Sequence, residues 1–355
     1  MIEWTGCTDE ELEEQLALSR EAWESLRGAR IFVTGGTGFV GSALLEAFAW
    51  ANRRLGLGAS LVALTRDPAA FAAREPRLAG DPAIVLHRGD ATDFAFPAGR
   101  FDAVVHAATE RAAVVPGQPL HAYDRDLAAT RRALELVAAS GARKALFTSS
   151  GAVYGPQPPS LEAIPEEYAG APPTHDAGAA YGHAKRASEL AWFAYGATGA
   201  FDATAARLFA FAGPRLPLDA HYAFGNFLRD VARRETLLIA GDGTPLRSYL
   251  YVAELARWLW TILVRGRGGR AYNVGSPHAV SIRELAERVV ALTRPETPIA
   301  VARAPVPGVP PARYVPSVAR AREELGLDVT IGLDEAIRRS YAALALPLSA
   351  PSVRA

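Results

Sequence analysis

The stretch that most restricts the fold is residues 31–50. Ile31-Phe32-Val33 reads as a short buried strand, Thr34-Gly35-Gly36-Thr37-Gly38-Phe39-Val40-Gly41 as a glycine loop, and residues 42–50 as a helix. Strand, glycine loop and helix in that order make a cradle for a pyrophosphate. The first glycine permits a tight turn, the second lets the backbone approach the phosphates, and the third lets the helix sit close to the strand. The helix N-terminus adds free N–H donors and the positive end of its dipole. Gly35, Gly38 and Gly41 are therefore the candidate phosphate-binding glycines, with Phe39 and Val40 opening the helix. The first two glycines stand one residue further apart than in the common dinucleotide pattern.

Further buried-strand runs follow at 61–64, 83–86, 103–105, 145–148 and 204–209, with helices between most of them, notably 120–140 and 181–195. That alternation predicts an α/β fold, a Rossmann-like doubly wound parallel sheet. After Gly213-Pro214, Pro- and Gly-bearing loops alternate with short helices at 224–233, 252–264 and 281–293, which reads as a smaller mixed C-terminal lobe. Five prolines in 305–316 predict an extended loop there. At the other end, Thr8 with Glu11 forms a capping box, and Leu12, Leu16, Trp23 and Leu26 share one face. Residues 8–27 thus read as one helix, docked on the main body or on a partner subunit. The expected division is a helical extension at 1–28, a dinucleotide-binding domain at 29–213 whose sheet also receives later segments, a substrate-binding lobe at 214–345 and a tail at 346–355.

The 38 basic and 38 acidic residues cancel, which argues against nucleic acid or an anionic membrane surface as a partner held by bulk charge. Cys7, the single cysteine, excludes an internal disulfide framework and a zinc site of several thiolates. The apolar run at 258–264 is far short of the ~20 residues a membrane span requires. The N-terminal region carries eight carboxylates between Glu3 and Glu24 against Arg20 and Arg27, the reverse of a secretory signal, so a cytoplasmic location is the default expectation. Only Lys144 and Lys185 among the basic residues are lysines.

One of those lysines lies in Tyr181-Gly182-His183-Ala184-Lys185, which places phenol and ammonium on one helix face. A phenol, with a pKa of about 10, is a poor base at neutral pH, and a neighbouring ammonium lowers that value. The same ammonium can bridge to a nicotinamide ribose. A hydroxyl should orient the substrate and the tyrosine. Ser150 is the first choice, at the carboxyl end of the strand that ends Thr148-Ser149-Ser150, with Ser149 and Thr148 behind it. Where the second strand meets an adenosine ribose, a carboxylate suits NAD and an arginine suits NADP. The chain has Thr65-Arg66-Asp67; Arg66 leans to NADP and Asp67 keeps NAD open. His106, His183 and His221 show no metal-ligand spacing, and Trp258 and Trp260 read as core.

With these residues in place, the chain resembles the extended short-chain dehydrogenase/reductases, the branch of NAD(P)-dependent nucleotide-sugar epimerases and dehydratases. The matches run over about 29–340: the glycine loop, Gly89-Asp90, Val105-His106-Ala107-Ala108, Ser149-Ser150 with Val153-Tyr154-Gly155, Tyr181 with Lys185 and Glu189, Gly213-Pro214-Arg215, Gly241-Asp242-Gly243 with Arg247 and Tyr251-Val252, and Tyr272-Asn273-Val274-Gly275. The resemblance implies that Asp90, with Ala91 beside it, contacts the adenine and that Ala107 and Ala108 line the cofactor cleft. It implies that Ser150, Tyr181 and Lys185 form the catalytic triad and that Arg247 grips the substrate pyrophosphate. Asn226, at a helix start near the substrate phosphates, is either a contact or a helix cap. A homodimer through a bundle of the 120–140 and 181–195 helices is also implied.

The departures narrow the chemistry. The family's 4,6-dehydratases carry an Asp-Glu pair after the triad hydroxyl, and its decarboxylases a Glu at the second of those positions; here they are Gly151 and Ala152. Glu110 is the one carboxylate placed near the cleft that could stand in. The family's Asn before Gly-Pro is Ala210, and its late Arg-Pro-Gly-Asp reads Val306-Pro307-Gly308-Val309, with Arg303 or Arg313 as replacements. The expected activity is epimerisation at C4 of a nucleotide-diphosphate sugar. The alternatives are an NADPH-consuming 4-keto sugar reductase, a dehydratase or decarboxylase disfavoured by Gly151-Ala152, and a catalytically silent NAD(P)-binding redox sensor.

Overall fold

The computed structural model describes residues 3–110, 118, 120–220 and 222–345; His221 and the 346–355 tail lie outside the described residues. Seven strands form one parallel sheet: β1 (Arg30–Thr34), β2 (Ser60–Thr65), β3 (Ile84–Arg88), β4 (Ala103–His106), β5 (Lys144–Ser150), β6 (Asp202–Leu208) and β7 (Arg270–Val274). Their order is β7-β6-β5-β4-β1-β2-β3, and every neighbouring pair is parallel. The chain winds outward from β1 to β3, then returns to the other side of β1 to lay down β4 to β7. That reversal leaves a crevice at the carboxyl ends of β1 and β4, where open α/β sheets bind ligands.

Alternation along β1 shows how the layers form. Ile31 and Val33 face one apolar cluster, while Phe32 faces another on the opposite side of the sheet. The first face is covered by α3 (Phe39–Leu55) and α7 (Val252–Arg265), the second by α4 (His121–Ser140) and α5 (Ala180–Gly196). Helix α7 is buried nearly all round, and Trp258 and Trp260 belong to the core as expected; the Trp260 indole donates to the Leu44 carbonyl at 3.2 Å.

The N-terminal segment docks on this body, but as two helices rather than one. The capping box forms: Thr8 N–H donates to Glu11 Oε2 at 2.6 Å, and Glu11 N–H to Thr8 Oγ1 at 3.2 Å. Helix α1 (Asp9–Ala17) then stops, and α2 (Arg20–Glu24) starts after a break at Ser19, whose hydroxyl donates to the Gln15 carbonyl at 2.7 Å. Such a back-bond competes with the helix ladder. Beyond the break the Trp23 ring lies 5.2 Å from that of Trp260. The buried Glu11 accepts from the Tyr251 hydroxyl at 2.6 Å, and Glu3–Trp4 pairs antiparallel with Leu344–Ala345.

Over the carboxyl edge of the sheet lie helix α6 (Ala223–Ala232) and a small ladder in which Leu246–Arg247 runs between Val280–Ser281 and Arg313–Tyr314. The proline-rich stretch is irregular, as predicted, except for that last pair. Arg215, at φ +66°, fixes the edge to α3 by bonding both Glu46 and Glu75.

Because Trp23 fills a site between α2 and α7, Trp23→Ala should lower unfolding free energy by about 3–5 kcal/mol in urea titration. An unchanged midpoint would mean that the segment only rests on the surface.

Candidate active site

The crevice is a cavity of about 1070 Å³. Its floor is the glycine loop. Gly35 sits at φ +68°, and a Cβ there would lie 2.5 Å from the Ala107 carbonyl oxygen; one on Gly41 would lie 2.1 Å from the Gly35 oxygen. These two glycines let β1, the β4 exit and α3 close on one another. A Cβ on Gly38 would meet only the Gly35 oxygen, at 3.5 Å, so the open side of Gly38 faces cavity space. With Phe39 and Val40 at the first turn of α3, this surface fits a dinucleotide pyrophosphate.

At the end of the cavity reached by β2, Arg66 lines it and so does Arg74, which sequence reasoning missed; Arg74 donates to the Thr37 carbonyl at 2.7 Å. Asp67 is occupied as a helix cap, accepting from Ala70 N–H at 3.0 Å. Ala91, Ala107 and Ala108 line the cavity, as does Asp90. Burial works to raise the Asp90 carboxyl, but hydrogen bonds from Thr92 and the ion pair with Arg125 at 2.6 Å outweigh it and hold the group below its usual range.

Ser150, Tyr181 and Lys185 line the other end. The two fallback hydroxyls are committed elsewhere: Thr148 Oγ1 donates to the His106 carbonyl at 3.2 Å and Ser149 Oγ to Glu189 at 2.7 Å. Ser150 and Thr109 line the cavity with the Tyr181 phenol, and both act to lower its pKa. Lys185 is 2% exposed; its Nζ donates to the Thr148 carbonyl at 3.3 Å, stands 3.9 Å from Asp126 Oδ2 and lies 5.8 Å from the Tyr181 ring centre. Burial pushes the ammonium down, and Asp126 opposes that.

Here the structure corrects an expectation. Lys185 was expected to lower the Tyr181 pKa, but its charge is answered by Asp126. The phenol is pushed up to about 12: burial raises it most, Ser150 opposes that, the Asp126 carboxylate adds to the rise and Thr109 works against it. The protein's own groups therefore keep Tyr181 protonated at neutral pH.

Asp126 was missed. It accepts from Thr109 Oγ1 at 3.0 Å and from Glu110 N–H at 2.8 Å, so it joins Lys185 to the segment that leaves β4. Its signal in the sequence was a carboxylate in the buried stripe of α4, among Ala129, Thr130, Ala133 and Val137. Glu110 lines the cavity, but its carboxylate is bound by Arg125 Nε at 3.0 Å, the arginine that also holds Asp90. It is tethered rather than poised to replace the absent acid pair.

Arg247 lines the cavity, donates to its neighbour's Leu246 carbonyl at 2.8 Å and makes no ion pair among the described residues. Asn226 does not line it: its side chain accepts from Arg229 at 3.5 Å, and Tyr222, not Asn226, is the cap of α6. Tyr222, Ala223 and Phe224 are the cavity-lining residues of that helix start, and neither Arg303 nor Arg313 reaches the lining. His106 is buried between the Thr34 and Thr130 hydroxyls; burial and then Lys185 push it down to about 3, so it is a neutral structural residue. His183 stands 3.4 Å from the Pro173 carbonyl. Tyr314, also missed, lines the cavity with its ring 4.6 Å from that of Phe209.

Comparison with known proteins agrees with this geometry. Residues 31–275 match the model of the NAD dependent epimerase/dehydratase family. A UDP-glucose 4-epimerase of Streptomyces lividans is 31% identical, over 84% of this chain and 90% of the relative. UDP-glucuronic acid decarboxylase 6 of Arabidopsis thaliana is 28% identical, over 87% of this chain and 86% of the relative. The crystal structure of a UDP-glucuronic acid 4-epimerase from Bacillus cereus, in complex with UDP-glucuronic acid and NAD, superposes with a TM-score of 0.74 at 20% identity, covering 88% of this chain and 98% of the other.

Removing the Asp126 charge should lower the pKa of Tyr181. In protein labelled with ¹³C at the tyrosine ring carbon that bears the hydroxyl, with Tyr181→Phe to assign the resonance, Asp126→Asn should move the Tyr181 titration to lower pH. An unmoved titration would contradict the charge balance described.

Proposed function

The chain belongs to the NAD-dependent epimerase/dehydratase family, and from that premise we propose that it inverts C4 of a nucleotide-diphosphate sugar through a transient 4-keto sugar. The observation that carries this reading is a triad without an added acid–base pair. Ser150, Tyr181 and Lys185 line one cavity, and the next two residues are Gly151 and Ala152. A Cβ at Gly151 would lie 2.6 Å from the Tyr314 hydroxyl and 2.8 Å from the Phe209 ring, so that position has no room for a carboxylate. Water loss from C5 and C6 needs such groups; inversion at C4 does not.

The nicotinamide, when bound, supplies the hydride acceptor and donor for C4. In its phenolate form, which the positive nicotinamide ring would favour when bound and the protein's own groups do not, Tyr181 takes the proton of the C4 hydroxyl and returns it, Ser150 orients that hydroxyl, and Lys185 would hold the nicotinamide ribose. Arg247, free of ion pairs among the described residues, takes the sugar's pyrophosphate. The exposed Leu190 and Tyr195 on α5 support a homodimer through α4 and α5.

One further observation favours a second reading, an NADPH-consuming 4-keto sugar reductase. Arg66 and Arg74 both line the adenosine end while the nearby Asp67 is spent as a cap, a composition suited to a 2′-phosphate. Mass spectrometry of the dinucleotide retained by the purified protein, and a panel of nucleotide sugars followed for C4 inversion, separate the two. Retained oxidised cofactor with inversion supports the epimerase; stoichiometric NADPH consumption on a 4-keto sugar supports the reductase. In either case Tyr181→Phe should cost about 10²–10⁴-fold in turnover. Full activity in that variant would sink both.

A further inference from the structure

We infer that residues 4–7 form a strap that positions the substrate side of the active site: Trp4 and Gly6 hold the loop at 213–218 in place and thereby set how tightly the nucleotide sugar is bound. The strap lies before residues 31–275, which carry the family match. The inference rests on the proposed substrate and on its place beside Arg247.

The loop depends on an outside hold. Leu216 and Pro217 line the cavity, and Arg215 before them sits at φ +66°, a left-handed backbone that costs a residue with a side chain. Inside the loop, Leu216 N–H donates to the Gly213 carbonyl only at 3.4 Å. The strap supplies more. Its Trp4 indole N–H donates to the Leu216 carbonyl at 3.1 Å. Cys7 N–H donates at 3.3 Å to Glu46 Oε2, the oxygen that also takes Arg215 Nη1 at 2.8 Å. Between them Gly6 crosses the Arg215–Glu46 pair. A Cβ there would lie 2.7 Å from Arg215 Nη2 and 2.7 Å from Glu46 Oε1, and its φ of +84° suits glycine. Bare backbone thus covers the pair, whose side chains are 13% and 12% exposed, and a pair kept from water is screened less.

The strap is itself anchored. Glu3 and Trp4 pair with Ala345 and Leu344, and the Thr5 N–H and hydroxyl both donate to the Ala343 carbonyl, at 3.0 and 3.2 Å. On its other side the loop leads to the substrate wall. A Cβ at Gly225, in the first turn of α6, would lie 2.3 Å from the Pro217 carbonyl oxygen, and Arg229 donates to the Leu218 carbonyl at 3.1 Å, so loop and helix pack without a gap. The Phe224 ring of that turn lies 5.7 Å from that of Tyr249, two residues past Arg247, and all three line the cavity. Residues 4–7 do not line it, so the strap acts through the loop and bears on binding rather than on the chemical step.

Trp4→Phe keeps an aromatic ring and removes the N–H. In the holoenzyme, at a temperature where every variant is folded, hydrogen exchange of the 213–218 amides should quicken about 2- to 10-fold, the factor one hydrogen bond supports. KM for the nucleotide sugar found in the panel should rise by about the same factor, with kcat within about twofold. Gly6→Ala should act in the same direction and further. Trp23→Ala weakens the N-terminal segment away from the loop and should leave KM within about twofold. Parent values of KM in Trp4→Phe and Gly6→Ala, faster exchange with no change in KM, a loss confined to kcat, or an equal rise of KM in Trp23→Ala would each overturn the inference. If the parent turned over no nucleotide sugar, the functional reading would fail, while exchange across 213–218 would still decide whether the strap holds the loop.

Discussion

A single buried positive charge organises this active site. Lys185 is sequestered beneath the cavity, and an ammonium out of water is costly unless it is bonded and paired. The Thr148 carbonyl and the Asp126 carboxylate meet that need, and each comes from a different element, β5 and α4, while the lysine itself comes from α5. The requirement therefore ties two helices of one layer to the strand that carries Ser150. Between α4 and α5 the same seam continues as a hydrogen bond from Thr130 to Ser188 at 2.9 Å. The Asp126 charge also raises the pKa of Tyr181, so the carboxylate that stabilises the lysine disfavours the phenolate. The triad is balanced toward a protonated tyrosine, and groups that oppose that balance, Ser150 and Thr109, gain importance from it.

The rest of the chain positions the two ends of the cavity relative to that point. The contact of Gly41 with Gly35 brings the first turn of α3 against the exit of β1, and α3 is in turn held from behind by the N-terminal segment and α7. Arg215 adds a tether from the carboxyl-edge loop to Glu46 on α3 and to Glu75. The loop after Gly213 is thus fixed to α3, the helix whose first turn lines the cavity.

Much of this was legible in the sequence because it rests on local patterns. Strands buried on both faces appear as unbroken apolar runs, the glycine loop has a spacing with a steric reason, and a Tyr and Lys four apart share a helix face wherever the helix lies. What could not be read depends on partners distant in sequence. Nothing in 8–27 shows that Ser19 would turn its hydroxyl back on the helix. Asp126 and Lys185 are 59 positions apart, so the answering of the lysine's charge, and with it the true balance at Tyr181, emerges only when α4 and α5 meet. Tyr314 lies in a proline-rich stretch with no periodicity, and its place beside Gly151 is set by a two-residue ladder. The second lysine, Lys144, has a plain role: it opens β5 opposite Asp202 of β6 and pairs with it at 3.5 Å.

The central claim is that the site moves a hydride off C4 and back, and does nothing else to the sugar. Nucleotide sugars deuterated at C4, turned over by the holoenzyme and followed by NMR, test it directly. The account predicts a product inverted at C4 that keeps its deuterium there, with no solvent hydrogen entering at C5 or C6 and no net change in cofactor oxidation state. Loss of the C4 label to the medium, exchange at C5, or a product that has lost water or carbon dioxide would contradict it.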